Sequence, residues 1–320
     1  MPLISIIIPI YKSENYIQRC VKSLMEQTMI NLEYIFINDN TPDNTMEILH
    51  KTILKYPDRI KQITIIENKF NLGPSESRKR GIEIAKGKYI ACCDADDWIE
   101  KDMYETLYNC TIDGEIDIVV SNYIIENNKQ IIHKFTPCST PQEALKFINN
   151  NNRFSFSMCN QIIRTTIVKE EIKHIFPTRF REDTFLLMRL YYKSVSIKYI
   201  SNAFYHYYKE NENSLCKNRI FNYNSWNEQK INIERIANLV YSNDGYKLYH
   251  WSINQFKYNL KLEYKSIFKN RKSFFYTFYE SHSDIIYLNN INNNSILNKI
   301  KTYLVHKYYI FFLIHSIIKK

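Results

Sequence analysis

Residues 87–98 read Gly87-Lys88-Tyr89-Ile90-Ala91-Cys92-Cys93-Asp94-Ala95-Asp96-Asp97-Trp98. The apolar run Tyr89–Cys93 is typical of a strand that is buried on both faces of a sheet. Three carboxylates follow within four residues, and they repel one another unless a cation lies among them. Mg²⁺ or Mn²⁺ prefers such oxygen ligands, and a diphosphate can complete the coordination shell. A solvated acidic turn is the alternative to a metal site, and the two are distinguished by the residues around this stretch.

Three predicted strands precede this stretch. The apolar, β-branched runs Ile4–Ile10, Leu32–Asn38 and Ile63–Glu67 predict strands, and residues with helical periodicity separate them. This alternation predicts an α/β fold with a mainly parallel central sheet and helices on both faces. Ligands bind such sheets beyond the carboxyl ends of the strands. The residues with unusual chemistry stand at those ends, namely Tyr11, Asp39, Asn71 and Asp94–Asp97.

The regular alternation stops after about residue 117. The pattern then predicts a strand at Asp117–Ser121, a hairpin over Tyr123–Phe135 that turns at Asn127-Asn128, short and longer helices over Pro141–Ile148 and Glu182–Lys193, and aromatic-rich strands near Val195–Tyr208. Beyond about residue 217 a helical, polar and tyrosine-rich region is predicted. We therefore expect three parts, residues 1–121, 122–216 and 217–320.

Composition excludes several classes of protein. The chain has 320 residues but only five glycines, and no spacing among them fits a dinucleotide-binding loop or a P-loop. Seven cysteines without a C-x-x-C pair indicate neither a disulfide framework nor a zinc site. The N-terminus enters a strand pattern without a signal peptide, so a reduced, cytoplasmic location is expected.

The net charge of +10 is concentrated in the last third, where residues 211–320 hold 16 Lys and Arg against 7 Asp and Glu. This favours an anionic partner, and the apolar segment Tyr303–Ile318, flanked by lysines, is predicted either to lie on a membrane surface or to pack as a terminal helix. A non-catalytic protein that binds a membrane or RNA is a rival interpretation. We expect no nucleic-acid partner, because interior packing explains the aromatic residues more simply.

Four further residues have either a structural role or a role in binding or catalysis. Arg78, near the start of a predicted helix, is unfavourably placed for the helix dipole and is either on the surface or held by an anion. Glu182 and Asp183 open a predicted helix, where acidic residues are ordinary dipole partners, but a general base is the functional alternative. His206, between tyrosines on a predicted strand, is either structural or a ligand of a metal or phosphate.

Taken in order, these motifs resemble the family 2 glycosyltransferases. The resemblance rests on Ile4–Tyr11, Asn38-Asp39, Asn71-x-Gly73 with Arg78 and Gly81, the stretch quoted above, Arg181–Thr184 and Tyr205–Tyr207. It covers about two-thirds of the chain. It implies a GT-A fold, with a nucleotide-sugar-binding half over residues 1–121 and an acceptor-binding half over 122–216.

The resemblance also implies an activity and roles for individual residues. The activity is inverting transfer of a sugar from a nucleotide donor, most often a UDP-sugar, with Mn²⁺ or Mg²⁺. The implied nucleotide site has a base pocket formed by Pro9, Ile10 and Tyr11, a uracil contact by Asp39, and nucleotide contacts by Arg78, Asp94 and Ala95. The implied metal ligand is Asp96, with His206 as a metal or phosphate contact. The implied general base is Asp183, with Glu182 beside it.

The implied acceptor is a saccharide or lipid-linked saccharide of cell-surface polysaccharide or lipopolysaccharide synthesis, at the inner face of the cytoplasmic membrane. The nearest enzymatic alternative is a sugar nucleotidyltransferase, which also uses aspartates at strand ends and a metal. Such enzymes usually carry a glycine-rich loop after the first strand, where this chain has Pro9–Glu14 without glycine.

Overall fold

The computed structural model describes residues 1–145, 157–175, 177–178, 181–212, 214, 217 and 223–241. The chain forms two compact units, one of residues 1–220 with 227–236 and the other of residues 221–226 with 237–320. Nearly all described residues belong to the first unit. The predicted segment Tyr303–Ile318 lies outside the described residues. No helix within the described ranges has both the length and the apolarity needed to cross a membrane.

The first unit contains nine strands, which are β1 (Ile4–Ile10), β2 (Leu32–Asn38), β3 (Ile63–Glu67), β4 (Tyr89–Cys92), β5 (Trp98–Ile99), β6 (Ile118–Asn127), β7 (Lys129–His133), β8 (Gln161–Arg164) and β9 (Ile197–Tyr208) within the described residues. The described α-helices are α1 (Ile17–Met25), α2 (Thr45–Ile53), α3 (Pro74–Ile84), α4 (Met103–Asn109), α5 (Pro141–Leu145), α6 (Thr165–Glu171), α7 (Glu182–Lys193) and α8 (Tyr223–Tyr241). Short 3₁₀ turns follow α2 and α6.

All nine strands belong to one sheet with the order β3-β2-β1-β4-β8-β6-β9-β5, and β7 pairs with β6. The first four strands are mutually parallel, as predicted. Strand β8 is antiparallel to both β4 and β6, and β9 is parallel to β6. Strands β6 and β9 therefore run in the same direction as β4, so their carboxyl ends share one edge of the sheet.

Strand β1 shows why this sequence forms a buried strand. Its isoleucines are fully buried, which fits a strand covered on both faces. Pro9 is tolerated inside it because the pairing with β4 ends at Ile7, so no partner strand on that side needs the missing N–H.

Helices α1 and α3 lie on opposite faces of the parallel strands. The Tyr34 hydroxyl donates to the Leu24 carbonyl of α1 at 2.7 Å. A Cβ added to Gly81 of α3 would meet Ile37 at 2.9 Å. Because Tyr34 and Ile37 are three residues apart in β2, their side chains point to opposite faces. The predicted helical layers on both faces are thus present.

The second half differs from the prediction in three respects. The strand expected at Asp117–Ser121 and the first arm of the hairpin are one continuous strand, β6, and the aromatic strands near residue 200 are also one strand, β9. The short strands β5 and β8 were not predicted. The hairpin turn is confirmed, since Asn128 has a left-handed φ of 48° between β6 and β7.

Candidate active site

The acidic cluster Asp94–Asp97 lies at the carboxyl edge of the sheet, directly after β4. Strand β5 follows it immediately and pairs with β9, so the cluster is clamped between two strands. Asp97 is almost fully buried and accepts hydrogen bonds from the Tyr205 hydroxyl and, at 2.8 Å, from the Tyr208 N–H. Burial and the neighbouring carboxylates raise the pKa of Asp97 well above its usual range. Asp97 therefore fastens the cluster to β9.

Asp96 and Asp94 face outward from this anchor. Asp96 Oδ2 accepts from the Asn211 side chain at 2.8 Å, and the backbone carbonyl of Asp96 accepts from Arg19 at 2.9 Å. Burial and the charge of Asp94 raise the pKa of Asp96. Asp94 is more exposed, with 34% of its side chain accessible. Among the described residues, Asp94 Oδ2 has no hydrogen-bond partner, whereas the carboxylate of Asp96 also receives its own backbone N–H.

Arg78 joins the cluster to the second half of the unit. Its Nη2 donates to Asp94 Oδ1 at 2.6 Å, and its Nη1 donates to Glu182 Oε1. Arg78 is only 7% exposed. Burial lowers the pKa of this guanidinium, but the charges of Asp94 and Glu182 outweigh that effect and raise it above its usual value. The prediction of an anion-held arginine is met here by two carboxylates of the protein.

Asp183 stands beside Glu182 in the first turn of α7, whose predicted bounds agree with the structure. Its Oδ1 accepts from the Thr184 N–H at 2.8 Å, and Oδ2 has no hydrogen-bond partner among the described residues. Burial, followed by the charge of Glu182, raises the pKa of Asp183 to about 7. Arg181, immediately before, has a left-handed φ of 59°, a conformation that costs energy for a residue with a side chain. With this pKa, the Asp183 carboxyl is about half ionised near neutral pH.

Asp39 follows β2 and holds the loop between β3 and α3. Its Oδ1 accepts from the Asn68 amide and the Leu72 N–H, both at 2.7 Å, and its Oδ2 accepts from the Gly73 N–H at 2.8 Å. A carboxylate has about four acceptor positions, so one position on Oδ2 is left for a further donor.

The remaining residues predicted for nucleotide binding lie at the same edge but differ in exposure. Tyr11 is 42% exposed, Pro9 is half-buried and Ala95 is buried at 4%. The Ile10 side chain is fully buried in the core, so it does not line a pocket as predicted. Its carbonyl instead accepts from the Asp39 N–H at 2.9 Å and positions that aspartate.

His206 is placed differently from its predicted role as a metal ligand. Its Nδ1 lies 2.8 Å from Glu126 Oε1, and its Nε2 lies 2.9 Å from Glu100 Oε1. The ring also stacks on Trp98 with 4.8 Å between centroids. Both ring nitrogens are engaged, so neither is available for an ion in this arrangement. The described residues contain no group of three or more His, Cys, Asp or Glu side chains that could hold a metal ion by themselves.

Two contributors to the site were not predicted. The Tyr205 hydroxyl accepts from the Asp94 N–H at 3.1 Å while it donates to Asp97. The Arg19 guanidinium lies 3.6 Å from the Trp98 ring centroid, on a ring that also stacks with His206. Tyr205 belongs to the aromatic motif around His206, which was the available signal, whereas nothing in the sequence near Arg19 indicated its contact with Asp96.

An open cavity of about 650 Å³ lies at the same edge of the sheet, where β6 and β9 end. Its described walls include Tyr207, Tyr208, Lys209 and the turn residues Asn127 and Asn128. Amide, hydroxyl and charged residues predominate in the lining, which suits a polar ligand.

Comparison with known proteins identifies the family of this chain. The model of the family described as glycosyl transferase family 2 matches residues 5–172, which is more than half of the chain. The chain is 32% identical to EpsH of Bacillus subtilis over 218 residues, 64% of this chain and 60% of EpsH. It is 29% identical to the poly(ribitol-phosphate) beta-glucosyltransferase of Bacillus spizizenii over 209 residues, 64% of this chain and 32% of that enzyme. The alignments thus cover less than two thirds of either relative.

The fold is also similar to a solved structure. Residues 1–349 of S. aureus TarS, crystallised with UDP-GlcNAc, superimpose with a TM-score of 0.70 over 89% of this chain and 80% of that chain, at 19% identity. At this identity the likeness concerns the fold, and it confirms the predicted GT-A architecture. From the match over residues 5–172, the chain belongs to glycosyl transferase family 2.

Proposed function

We propose that this protein is an inverting glycosyltransferase that moves a sugar from a nucleotide-diphosphate donor, favouring a UDP-sugar, to a hydroxyl of a saccharide. The observation that carries the proposal is Asp183, whose unpartnered Oδ2 and pKa of about 7 suit a general base at the edge where the acidic cluster lies. Its ion-paired neighbour Glu182 connects it, through Arg78, to Asp94 of that cluster.

The donor would bind along the ends of β1, β2 and β4. The exposed ring of Tyr11 and the half-buried Pro9 offer a surface for the base, and the open acceptor position on Asp39 suits the imide N–H of uracil. The free oxygen of Asp94 would accept from a ribose hydroxyl next to Ala95. Arg78 would support this site through its ion pair with Asp94.

The acidic cluster fits a divalent cation held with the help of the donor. Asp96 accepts a side-chain hydrogen bond from Asn211, and burial together with the charge of Asp94 raises its pKa, so a cation beside Asp96 would be favourable. Mg²⁺ or Mn²⁺ is commonly held by one or two carboxylates together with substrate phosphates, and Asp96 would supply such a carboxylate here. When bound, the ion would stabilise the negative charge of the departing diphosphate. His206, engaged by two glutamates, would act as a structural residue.

Asp183 would take the proton of the acceptor hydroxyl on Oδ2 as the acceptor oxygen attacks the anomeric carbon. The bond between that carbon and the diphosphate oxygen breaks, and the nucleoside diphosphate leaves with its electron pair. An inverting displacement needs this one base and no covalent nucleophile. General-base catalysis contributes on the order of 10²–10⁴-fold to the rate.

The cavity between the ends of β6 and β9 is the candidate acceptor site. Its amide, hydroxyl and charged lining residues suit the hydroxyl groups of a saccharide. All the described lining residues except Lys217 belong to residues 122–216, the predicted acceptor half. The backbone N–H of the lining residue Tyr208 donates to Asp97.

The relatives support a polysaccharide acceptor and a UDP-sugar donor. One of them is a poly(ribitol-phosphate) beta-glucosyltransferase, and TarS was crystallised with UDP-GlcNAc. We propose a saccharide or lipid-linked saccharide acceptor in cell-surface polysaccharide synthesis. The basic C-terminal region would hold the enzyme at the cytoplasmic face of the membrane, since each Lys or Arg near an anionic leaflet contributes about 1 kcal/mol. Deleting residues 298–320 should release the protein from the membrane fraction, and unchanged partitioning would refute this anchoring.

A transfer assay with a panel of nucleotide-sugars tests the proposed activity. The wild-type protein should release a nucleoside diphosphate in the presence of a saccharide acceptor. Asp183→Asn should bind the donor nucleotide but transfer sugar at least about 100-fold more slowly. Near-wild-type transfer would remove Asp183 from the role of base, and release of pyrophosphate would identify a nucleotidyltransferase instead.

A further inference from the structure

Arg78 is the link between the two carboxylate groups of the site. It lies in α3, its partner Asp94 follows β4, and its partner Glu182 is the first residue of α7, 104 positions away in the chain. Both terminal nitrogens of the guanidinium point at these carboxylates. The third nitrogen, Nε, is buried and has no hydrogen-bond partner among the described residues. Each terminal nitrogen of Arg78 is therefore engaged by a carboxylate of the protein itself.

Burying the Arg78 guanidinium costs free energy that its ion pairs have to offset. A buried guanidinium loses its hydration, and that loss is costly. Arg78 is 7% exposed, and the side chain of Glu182 is 13% exposed. Within the described part of the chain, the carboxylates of Asp94 and Glu182 compensate for this cost, so their geometry is fixed around the guanidinium.

We propose that Arg78 is a positioning residue that holds the first turn of α7, and with it Asp183, against the donor-binding strand end through Glu182, and that it does not itself bind the nucleotide. This inference rests on the proposed function, because it assigns Asp183 as the base. It departs from the nucleotide contact that the family resemblance implies for this arginine.

The charges around Asp183 support a second effect of Arg78. The groups that act on Asp183 are Glu182 in its own helix, Arg78 from α3, and Asp94 with the Cys92 thiol from the end of β4. Glu182 and Asp94 raise the pKa of Asp183, whereas Arg78 lowers it. Loss of the Arg78 charge therefore raises that pKa, and the base is ionised only at higher pH.

The test compares Arg78→Gln and Arg78→Lys with a matched control, Arg164→Gln. Arg164 forms a partly buried ion pair with Asp117 at 2.6 Å, and it pairs with Tyr89 at the opposite end of β4. The measurements are kcat and KM for the nucleotide-sugar, the Kd of the free nucleoside diphosphate, and the pH profile of kcat.

We expect Arg78→Gln to lower kcat at least about tenfold, because a misplaced base loses much of its effect. The Kd of the nucleoside diphosphate should stay within about threefold of wild type. The acid limb of the kcat profile should move to higher pH. Arg78→Lys keeps the charge and one ion pair, so it should recover part of kcat and leave the limb in place. Arg164→Gln should change neither kcat nor the limb.

A nucleotide Kd weakened tenfold or more in Arg78→Gln or Arg78→Lys, with kcat unchanged at saturating donor, would overturn the proposal and make Arg78 a nucleotide ligand. An unmoved acid limb in Arg78→Gln would also overturn it. If Arg78→Gln does not fold, the Kd and kcat of Arg78→Lys decide between the two roles.

Failure of the proposed function is recognised separately, because the wild-type protein would then transfer sugar from no nucleotide donor. In that case the unfolding midpoint is measured as a function of pH for the wild-type protein and for Asp183→Asn. The difference between the two midpoints at each pH reports the titration of Asp183. The inflection of this difference should lie at higher pH in the Arg78→Gln background. The same inflection with and without Arg78 would overturn the positioning role.

Discussion

The hydroxyl of Tyr205, in β9, donates to the carboxylate of Asp97, which follows β4. The two residues are 108 positions apart in the chain, and both are buried. The same hydroxyl accepts from the Asp94 N–H. This contact holds the acidic cluster to the second half of the sheet, and it explains how a run of three carboxylates keeps one conformation.

Tyr205→Phe should therefore destabilise the protein and weaken donor binding. It leaves the buried Asp97 carboxylate without one donor, at a cost of about 1–3 kcal/mol. Tyr199→Phe is the matched control. Tyr199 is in the same strand as Tyr205, and its hydroxyl donates to Asn122 at 2.9 Å, away from the cluster. Thermal unfolding should show a loss in both variants, and metal-dependent nucleotide affinity should fall only in Tyr205→Phe. Equal affinity in the two variants would separate Tyr205 from the binding site.

The activity should depend on pH through Asp183. Because its pKa is about 7 and the base must be ionised, kcat should fall as the pH drops below about 7. Glu182→Gln removes the negative charge that raises this pKa while its amide oxygen still accepts from Arg78. The acid limb should then move about half a unit to one unit lower in pH. A limb that stays in place would show that Glu182 does not set the acidity of the base.

Asp183 should also lower the stability of the protein above neutral pH. Its folded-state pKa of about 7 exceeds the ordinary value of 3.8, so the folded state binds more protons between these values and stability falls as pH rises through them. Asp183→Asn should raise the unfolding midpoint by at least about 2 °C at pH 8, where the buried charge is present. The gain should vanish near pH 4. A lower midpoint for the variant at pH 8 would show that the ionised carboxylate is well solvated.

His206 should contribute to stability rather than to metal binding. His206→Gln loses a ring that stacks on Trp98 and that contacts two glutamates, so the unfolding midpoint should fall. The affinity for Mn²⁺ in the presence of UDP should stay within about twofold of wild type. A loss of about tenfold or more, the effect typical of a residue that ligates or orients at a metal site, would restore the ligand role that the sequence suggested.

Much of the fold was predictable from local pattern. The bounds predicted for β1, β2, β3 and α7 agree with the structure, because long buried runs and a helical period fix these elements without help from distant residues. The strand ends then located the edge that carries the candidate site. Strands β5 and β8 have two and four residues, and they exist because β9, β4 and β6 offer pairing partners.

The candidate site was predictable in its residue types but not in its contacts. Asp94, Asp96, Asp183 and Arg78 were identified from their places in the sequence, yet the ion pair between Arg78 and Glu182 joins distant elements. The engagement of His206 by Glu100 and Glu126 depends on the register of β9 against β5 and β6. Local sequence does not specify such a register, so the family resemblance suggested a metal or phosphate contact for a histidine that two glutamates engage in the structure.

The most direct measurement is thermal unfolding of the wild-type protein and Asp96→Asn with UDP compounds, with and without Mn²⁺. A ligand at 100 times its Kd adds about 2.7 kcal/mol to the free energy of unfolding, which should raise the midpoint by roughly 5–10 °C. We expect a metal-dependent rise with UDP or a UDP-sugar in the wild-type protein and its loss in Asp96→Asn. An equal rise in both proteins, or no rise with any nucleotide, would contradict a donor site at the acidic cluster.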